Sequence, residues 1–500
     1  MNATISPIRP HITSKTALLL VVCLAQFMVI LDVSIVNVAL PSIRTGLHFS
    51  TTGLQWVVNA YTLTFAGFLL LGGRAADLVG RRRMFIAGTA LFAGASLACG
   101  LADSRAALVV ARLVQGVGGA IISPASLAII TTSFLEGRMR NRALGIWGAV
   151  GGVGGAVGVV LGGLLTQELG WPAIFFINVP VGLAVVALAP FIAPEGRREG
   201  VERHFDVAGA VLATAGLMSV VYGIVRTDTH SWGSAGVLEP IAVGVALLAA
   251  FLVHEGRIAR APLMPLSIFR LRQLRSANLV ILLLYSAVFA MWFILSLFLQ
   301  QVLGASAIRT GLEFLPMTLS VVVGSTLAPR FVARVGVRPV IVGGMLAAAA
   351  GLGLLATGLH PGASYAAAVL PGGMLAALGL GLSLVPSTIA AMQGVPADES
   401  GIASGLLNTS RFVGGALGLA VLSTIAASHT HARAAAGATL AQATASGYAL
   451  ALATGGALCL VGAIAAAALL RGSPTGVSEP VGELVEEAAD EMMRREQVAA

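Results

Sequence analysis

Two charged side chains lie within stretches that are otherwise almost wholly apolar. Asp32 falls in the run 16–39 and Arg112 in the run 106–130. A charge at such depth in a membrane costs about 2.5 to 3.5 kcal/mol on insertion scales, so each group needs a partner or a water-filled cavity. A carboxylate in this setting can bind a proton from one side and release it when its surroundings change. We therefore predict proton coupling at Asp32, tuned by Arg112.

Structural alternatives exist for the intramembrane charges. Asp32 could be paired permanently with an arginine or a backbone group, and Arg112 could extend its guanidinium to the membrane surface. Arg411, near one end of a later apolar run, could hold a helix end or meet a substrate, and the sequence favours the helix end.

Six further polar residues in or beside apolar runs are predicted to line a substrate cavity. They are Gln26, Asn37, Gln55, Asn59, Thr62 and Glu313. Gln55, Asn59 and Thr62 are spaced i, i+4 and i+7, which places them on one face of a helix. Such a stripe suits a helix-packing seam equally well. For Glu313 a position at the membrane interface is the favoured alternative to a second ligand carboxylate.

The loop GGRAADLVGRRR (72–83) contains a carboxylate beside several arginines and two glycines that permit a tight turn. Charge-assisted hydrogen bonds between a carboxylate and arginines are strong. We predict a conformational latch between two helix ends, formed by Gly73, Asp77, Gly80, Arg81 and Arg82.

Glycines recur at GxxxG spacing in the run 142–165, among them Gly154, Gly158, Gly162 and Gly163. Small residues at this spacing let membrane helices approach closely and slide. The run also contains GxGxxG, but no strand precedes it, so a dinucleotide site is not indicated.

Composition shows which elements must position these groups. Of 500 residues, 57% are hydrophobic, 61 are glycine and 10% are charged, against about 25% charged in a soluble domain. Fourteen apolar runs are each long enough to cross a bilayer as a helix. If both termini are cytoplasmic, 23 of the 30 Lys and Arg residues lie inside and five outside. The positive-inside rule favours this orientation.

Internal repetition divides the chain. Arg74 and Gly80 recur as Arg330 and Gly336 at a shift of 256 residues, and VGGAVG (153–158) recurs as VGGALG (413–418) at 260. Parallel repeats of six spans place a substrate cavity between two halves. The predicted segments are a cytoplasmic N-terminus 1–15, a first six-helix half 16–192, an inserted helix pair with its loops 193–275, a second half 276–470 and a cytoplasmic tail 471–500.

Sequence motifs for several kinds of enzyme chemistry and for metal binding are absent. The single lysine, Lys15, is not part of a P-loop, and neither HExxH nor GxSxG occurs. The three cysteines lie in apolar runs without metal-binding spacing. We therefore expect neither an enzyme nor a metal site, no cofactor, and an ion gradient as the energy source. The net charge of +8 is attributed to loops facing anionic lipid, not to nucleic-acid binding.

Five motifs in order, LDVSIVNVALPSI (31–43), LQWVVNAYTL (54–63), the 72–83 loop, ARLVQGVGGA (111–120) and WPAIFFINVPVG (171–182), resemble the major facilitator superfamily. They are most similar to its fourteen-span drug/proton antiporters, and the resemblance covers about 16–470. It implies an all-α major facilitator fold with two six-helix pseudo-repeats and an inserted helix pair. It also implies proton coupling through Asp32 and Arg112, and an outward-facing state stabilised by Asp77 and Arg81.

The sequence departs from that family at two positions. Leu78 replaces a basic residue in the loop motif, and Val159 replaces the proline of the fifth-span antiport motif, so a kink is lost. We predict a proton-coupled exporter of amphipathic drugs or antibiotics in a bacterial inner membrane, with the substrate, protons and lipid as partners. The alternatives are a proton-coupled importer or facilitator, and a membrane protein that does not transport.

Overall fold

In its described residues, the computed structural model consists chiefly of α-helices, with a few short 3-10 and π-helical segments. The predicted tail and nearly all of the predicted N-terminal segment lie outside the described residues. The structure describes residues 15–50, 52–134, 138–193, 195, 206–227, 230–231, 233–259, 262–396 and 399–470.

Within the described residues, fourteen helical spans are long and apolar enough to cross a membrane, which confirms the predicted number of spans. The sixth span, Ala173–Ile192, includes a one-turn helix, Ala173–Phe176, before its main segment. In chain order the main helices are α1 (Lys15–Gly46), α2 (Trp56–Val79), α3 (Arg81–Gly100), α4 (Arg105–Ser133), α5 (Arg138–Leu169), α6 (Asn178–Ile192), α7 (Val207–Arg226), α8 (Ala235–Val253), α9 (Arg272–Leu297), α10 (Ala307–Val335), α11 (Val337–Gly358), α12 (Leu370–Met392), α13 (Ser400–Ala435) and α14 (Leu440–Leu469).

Most helices extend beyond the apolar runs that predicted them. The 32 residues of α1 span about 48 Å, whereas the hydrocarbon core is about 30 Å thick. Hydropathy detects only the part of a helix that lies in hydrocarbon. Where two helices follow without a loop, a glycine makes the turn: Gly80 between α2 and α3 has φ +125°, and Gly336 between α10 and α11 has φ +85°. These are equivalent positions of the two repeats.

The helices form two six-helix repeats, α1–α6 and α9–α14, with α7 and α8 as an inserted pair, as predicted for the fold class. The repeats contact each other chiefly through α5 with α10 and through α2 with α13. In the inserted pair α7 and α8 pack together, and α7 also contacts α2 and α13. The inserted pair therefore covers the seam between α2 and α13.

The predicted packing glycines lie at close helix contacts. On α5, Gly154, Gly158 and Gly162 face α1, and the hydroxyl of Ser34 on α1 donates to the carbonyl of Gly154 at 3.3 Å. Gly163 faces the first turn of α10 instead. A side chain at these positions would collide with the neighbouring helix, whereas glycine lets the helices approach closely. Helix α5 therefore contacts α1 of its own repeat and α10 of the other repeat.

Substituting Gly162 tests this packing. A Cβ there would lie 2.8 Å from the carbonyl oxygen of Ile35, and backbone cannot move aside as a side-chain tip can. We expect Gly162→Ala to lower stability by about 1 to 3 kcal/mol through overpacking, measured as thermal unfolding in detergent. Gly148→Ala on the same helix meets nothing within 4 Å and should be neutral or stabilising. Equal melting shifts for the two variants would contradict the close α1–α5 contact.

Candidate functional site

Asp32 and Arg112 form an ion pair in the interior of the first repeat. The distance from Arg112 Nη1 to Asp32 Oδ2 is 2.5 Å, and the two side chains are 2% and 0% exposed. Asp32 is contributed by the middle of α1 and Arg112 by the second turn of α4. Each intramembrane charge thus has its partner, as the cost of burial requires.

Three neutral side chains complete the surroundings of the carboxylate. Its Oδ1 accepts hydrogen bonds from Gln115 Nε2 at 2.8 Å and from Asn178 Nδ2 at 3.2 Å. The Ser96 hydroxyl accepts from the same two amides at 3.2 and 3.0 Å, and it donates to the carbonyl of Phe175. Sequence reasoning missed these three residues, although Gln115 follows Arg112 by three positions and so shares its helix face.

The guanidinium of Arg112 is held by groups from two helices. Its Nε donates to the carbonyl of Val57 at 2.9 Å, and its Nη1 also donates to Gln115 Oε1 at 2.8 Å. The ring of Tyr61 lies 4.4 Å from the guanidinium carbon, and that of Phe175 lies 5.7 Å away. Aromatic faces attract cations. The arginine therefore keeps several contacts even if its carboxylate partner is neutralised.

The two oxygens of Asp32 have different hydrogen-bond partners. Oδ1 accepts from two amides, whereas Oδ2 has only Arg112 as its hydrogen-bond partner in the described part of the chain. A proton on Oδ2 would remove the negative charge that attracts Arg112, although that oxygen could still accept a hydrogen bond. Neutralisation of Asp32 would therefore weaken the contact with Arg112 more than the contacts between Oδ1 and the amides.

A central cavity of about 210 Å³ lies between the repeats. It has aromatic side chains from α9, small polar groups from α1 and α10, and no charged residue in its lining. The lining residues are Ile30, Val33, Ser34, Asn37, Gly155, Val159, Tyr285, Val288, Phe289, Trp292, Thr318 and Leu380. Apolar and aromatic walls with a few polar groups are typical of small-molecule sites.

Among the predicted cavity residues, Asn37 lines this cavity. The other five, Gln26, Gln55, Asn59, Thr62 and Glu313, are not among its lining residues.

Those five side chains are buried elsewhere. Asn59 donates to Gln55 at 3.4 Å, and Thr62 donates to the carbonyl of Val58. The stripe on α2 therefore lies in packed protein, which was the alternative to a cavity wall. Glu313 accepts from Arg309 at 2.8 Å on its own helix.

Helix α1 separates the ion pair from the cavity. Ile30, Val33, Ser34 and Asn37 line the cavity, whereas Asp32 points to the other side of α1, toward α4 and α6. A molecule in the cavity therefore does not contact the Asp32 carboxylate, although both sites share one helix.

Near the predicted external face, α1 and α9 are joined by hydrogen bonds. Ser296 donates to the carbonyl of Asn37, and Gln300 donates to the carbonyl of Val38 at 2.9 Å. Next to them Arg44 donates to Gln301, also at 2.9 Å. These contacts hold the two repeats together at this end of the cavity.

Two carboxylates contact the arginines of the predicted latch, namely the expected Asp77 and also Glu195. Arg82 pairs with Glu195 at 3.0 Å and donates to the carbonyls of Pro190 and Ala193, so it binds the end of α6. Asp77 contacts Arg81 one turn along the chain at 3.4 Å, and its side chain is 40% exposed.

The glycines of the latch also have distinct places. Gly80 forms the turn between α2 and α3, and Gly73 lies against Pro124 of α4. Leu78, where the family motif has a basic residue, is buried.

Two six-helix repeats enclose a cavity, and one of the helices that line it contains a buried carboxylate. This arrangement is typical of a secondary membrane transporter. The chain belongs to the Major Facilitator Superfamily, whose family model matches residues 22–419. This confirms the resemblance found in the sequence motifs.

Curated relatives agree with this family, and a solved structure has a similar fold. The chain is 44% identical to a cephamycin export protein of Amycolatopsis lactamdurans, over 84% of this chain and 86% of that protein. It is 41% identical to a puromycin resistance protein of Streptomyces alboniger, over 83% and 82%. The crystal structure of a D-xylose-proton symporter has a similar fold, with TM-score 0.64 and 14% identity over 93% of this chain and 100% of that one.

A double-mutant cycle tests the buried pair. Removal of one partner leaves an uncompensated buried charge, which costs about 3 to 5 kcal/mol, whereas replacement of both by neutral residues costs much less. We expect Arg112→Met to melt at a lower temperature than the double variant Asp32→Asn/Arg112→Met. Additive effects, with the double variant the least stable, would show that the two side chains do not interact.

Proposed function

We propose that this protein exports amphipathic small molecules in exchange for protons. The proposal is supported by relatives whose names describe export of cephamycin, resistance to puromycin, and resistance to and export of tetracenomycin C. It is also supported by the central cavity, whose aromatic lining suits the apolar part of such molecules.

The observation that carries the proton coupling is the position of α1 between two sites. One face of α1 presents Asp32 to Arg112, and the other presents Ile30, Val33, Ser34 and Asn37 to the cavity. A change of charge on the first face alters the packing of α1 against α4. Because a helix moves as a unit, the same change alters the wall of the cavity.

In the proposed cycle, a proton from outside binds Oδ2 of Asp32, and loss of the negative charge weakens the attraction between this oxygen and Arg112. Gln115 and Asn178 hold Oδ1 throughout and so keep the carboxyl group in place. When the cavity opens inward, the proton leaves and the Asp32–Arg112 contact forms again. The substrate moves outward during the opposite half of the cycle, so neither ligand needs to touch the other.

The proton gradient supplies enough free energy for this exchange. One proton moving down about 100 mV releases about 2.3 kcal/mol, and each pH unit adds about 1.4 kcal/mol. Since 1.4 kcal/mol corresponds to a factor of ten, a single proton supports roughly a hundredfold or larger gradient of a neutral substrate.

We further propose a bacterial inner membrane as the location, with both termini cytoplasmic. The distribution of Lys and Arg over the alternate loops supports this orientation. It places the Arg82–Glu195 contact at the cytoplasmic face and the Asn37–Ser296 contact at the external face. The first would then hold α3 and α6 together as the cavity changes its opening, and the second would close the outer side.

Proton-driven uptake into inverted membrane vesicles tests the proposal. We expect wild-type protein to accumulate members of a panel of dyes and antibiotics when the vesicle interior is acidic. Asp32→Asn should abolish this accumulation, since an amide cannot bind and release the proton. Asp103→Asn, the same substitution in an exposed loop between α3 and α4, serves as the matched control and should retain it.

Three results would count against the proposal. Accumulation by Asp32→Asn equal to wild type would remove Asp32 as the proton site. Accumulation only in right-side-out vesicles with an inward proton gradient would indicate an importer. Absence of any proton-dependent flux across the panel, with folded protein present, would contradict export of this class of molecule.

A further inference from the structure

The buried carboxylates of the two repeats are paired with arginines and so are not free to bind a cationic ligand. The helices of the two repeats contain two buried carboxylates in the described part of the chain, Asp32 and Glu313. Each forms an ion pair with an arginine, Asp32 with Arg112 and Glu313 with Arg309. A cationic ligand between the repeats would therefore have to displace an arginine to reach a buried carboxylate.

Arg411 is an intramembrane cation with neutral partners. It lies eleven residues into α13, about 16 Å from the start of that helix, and it is half-buried. Its Nη1 donates to the Asn408 side chain at 2.9 Å and its Nη2 to the Thr388 hydroxyl at 3.0 Å. Its Nε has no hydrogen-bond partner among the described residues. Thr388 lies four residues before the end of α12, so this contact joins α13 to the last turns of that helix.

Arg411 and its partners lie outside the lining of the central cavity, about two helical turns from it. Thr388 lies two turns below the cavity residue Leu380 on α12, about 12 Å along the helix toward the predicted cytoplasmic face. On α9, Asn278 lies two turns below the cavity residue Tyr285 and accepts from Ser410 at 2.7 Å. A polar cluster with one positive charge therefore lies on the cytoplasmic side of the cavity.

A second cavity, of about 640 Å³, lies at the predicted external face among the ends of α1, α9, α13 and α14. Arg44, His431 and Tyr448 are among its lining residues, and the lining contains no carboxylate. Tyr448 is 3% exposed, and its hydroxyl has no hydrogen-bond partner among the described residues. Hydroxyl, imidazole and guanidinium groups around an apolar floor suit an anion that also carries an apolar body.

We propose that the preferred substrates are amphipathic anions, with Arg411 binding the acidic group on the cytoplasmic side of the cavity. The inference rests on the proposed export function and names its substrate class. The uncharged central cavity holds the apolar body, and the external cavity with Arg44 receives the anion before release. Each Nη group carries two N–H donors, and Asn408 and Thr388 accept one from each group. A carboxylate, sulfonate or phosphate could accept from the remaining N–H of each Nη group while the contacts with Asn408 and Thr388 stay in place.

The test compares two dyes that share a xanthene ring system and differ in charge, fluorescein as the anion and tetramethylrhodamine methyl ester as the cation. Binding to protein in phosphatidylcholine nanodiscs is measured by fluorescence anisotropy, which needs no proton gradient. We expect wild-type protein to bind fluorescein more tightly. Arg411→Gln should weaken fluorescein binding about tenfold or more, as expected for loss of a charge-assisted hydrogen bond, and should not weaken binding of the cation.

Two further variants separate charge from fold. Arg411→Lys retains the charge and should keep most of the preference for the anion. Arg433→Gln, on the same helix but exposed, should change neither affinity. Thermal unfolding of each variant checks that it is folded, and the wild-type preference stands as a test without any variant.

The inference is overturned if the two dyes bind wild-type protein equally or not at all, if the cation binds more tightly, or if Arg411→Gln weakens both dyes alike. Loss of proton-driven uptake in vesicles would instead count against the export function. Because binding is measured without a gradient, the two failures are distinguishable.

Discussion

The structure depends on the cost of placing two opposite charges inside a membrane. Asp32 and Arg112 can be buried there because each neutralises the other and because amides and a backbone carbonyl satisfy their remaining hydrogen bonds. These groups come from α1, α2, α4 and α6, with the Ser96 hydroxyl of α3 behind them. The first repeat thus packs around one polar site. In the proposed cycle, a proton on Asp32 weakens the Asp32–Arg112 ion pair, which is what makes burial of these two charges possible.

Separation of the proposed proton site, Asp32, from the cavity limits how the proposed coupling can work. If both ligands bound the same side chains, they would exclude each other by competition. Here α1 lies between Asp32 and the cavity, so coupling has to pass through the position of that helix. The glycines of α5 leave α1 in close contact with its neighbour, with little side-chain interlocking to prevent sliding. In the proposed cycle, a proton on Asp32 therefore influences a substrate that never contacts the Asp32 carboxylate.

The sequence predicted what depends on hydropathy and on charge at depth. Fourteen apolar runs predicted fourteen spans, and the cost of burial identified Asp32 and Arg112 as groups in need of partners. The sequence did not identify Ser96 and Asn178 as part of this site. They lie on two different helices, and the pattern of a single helix does not show how it is oriented relative to another. The stripe Gln55, Asn59 and Thr62 shows the same limit. Helical spacing places these residues on one face, but it does not determine whether that face meets a cavity or another helix.

Because Val159 stands where the family motif has a proline, α5 remains continuous at the point where it contacts both repeats. Valine keeps its backbone N–H, and α5 runs as a single helix of 32 residues. The Val159 side chain lines the cavity while its carbonyl packs against Gly311 of α10. One continuous helix therefore contacts α1 through Gly154, Gly158 and Gly162 and contacts α10 through Val159 and Gly163. A shift of α1 on protonation can reach the second repeat through α5 without a hinge within that helix.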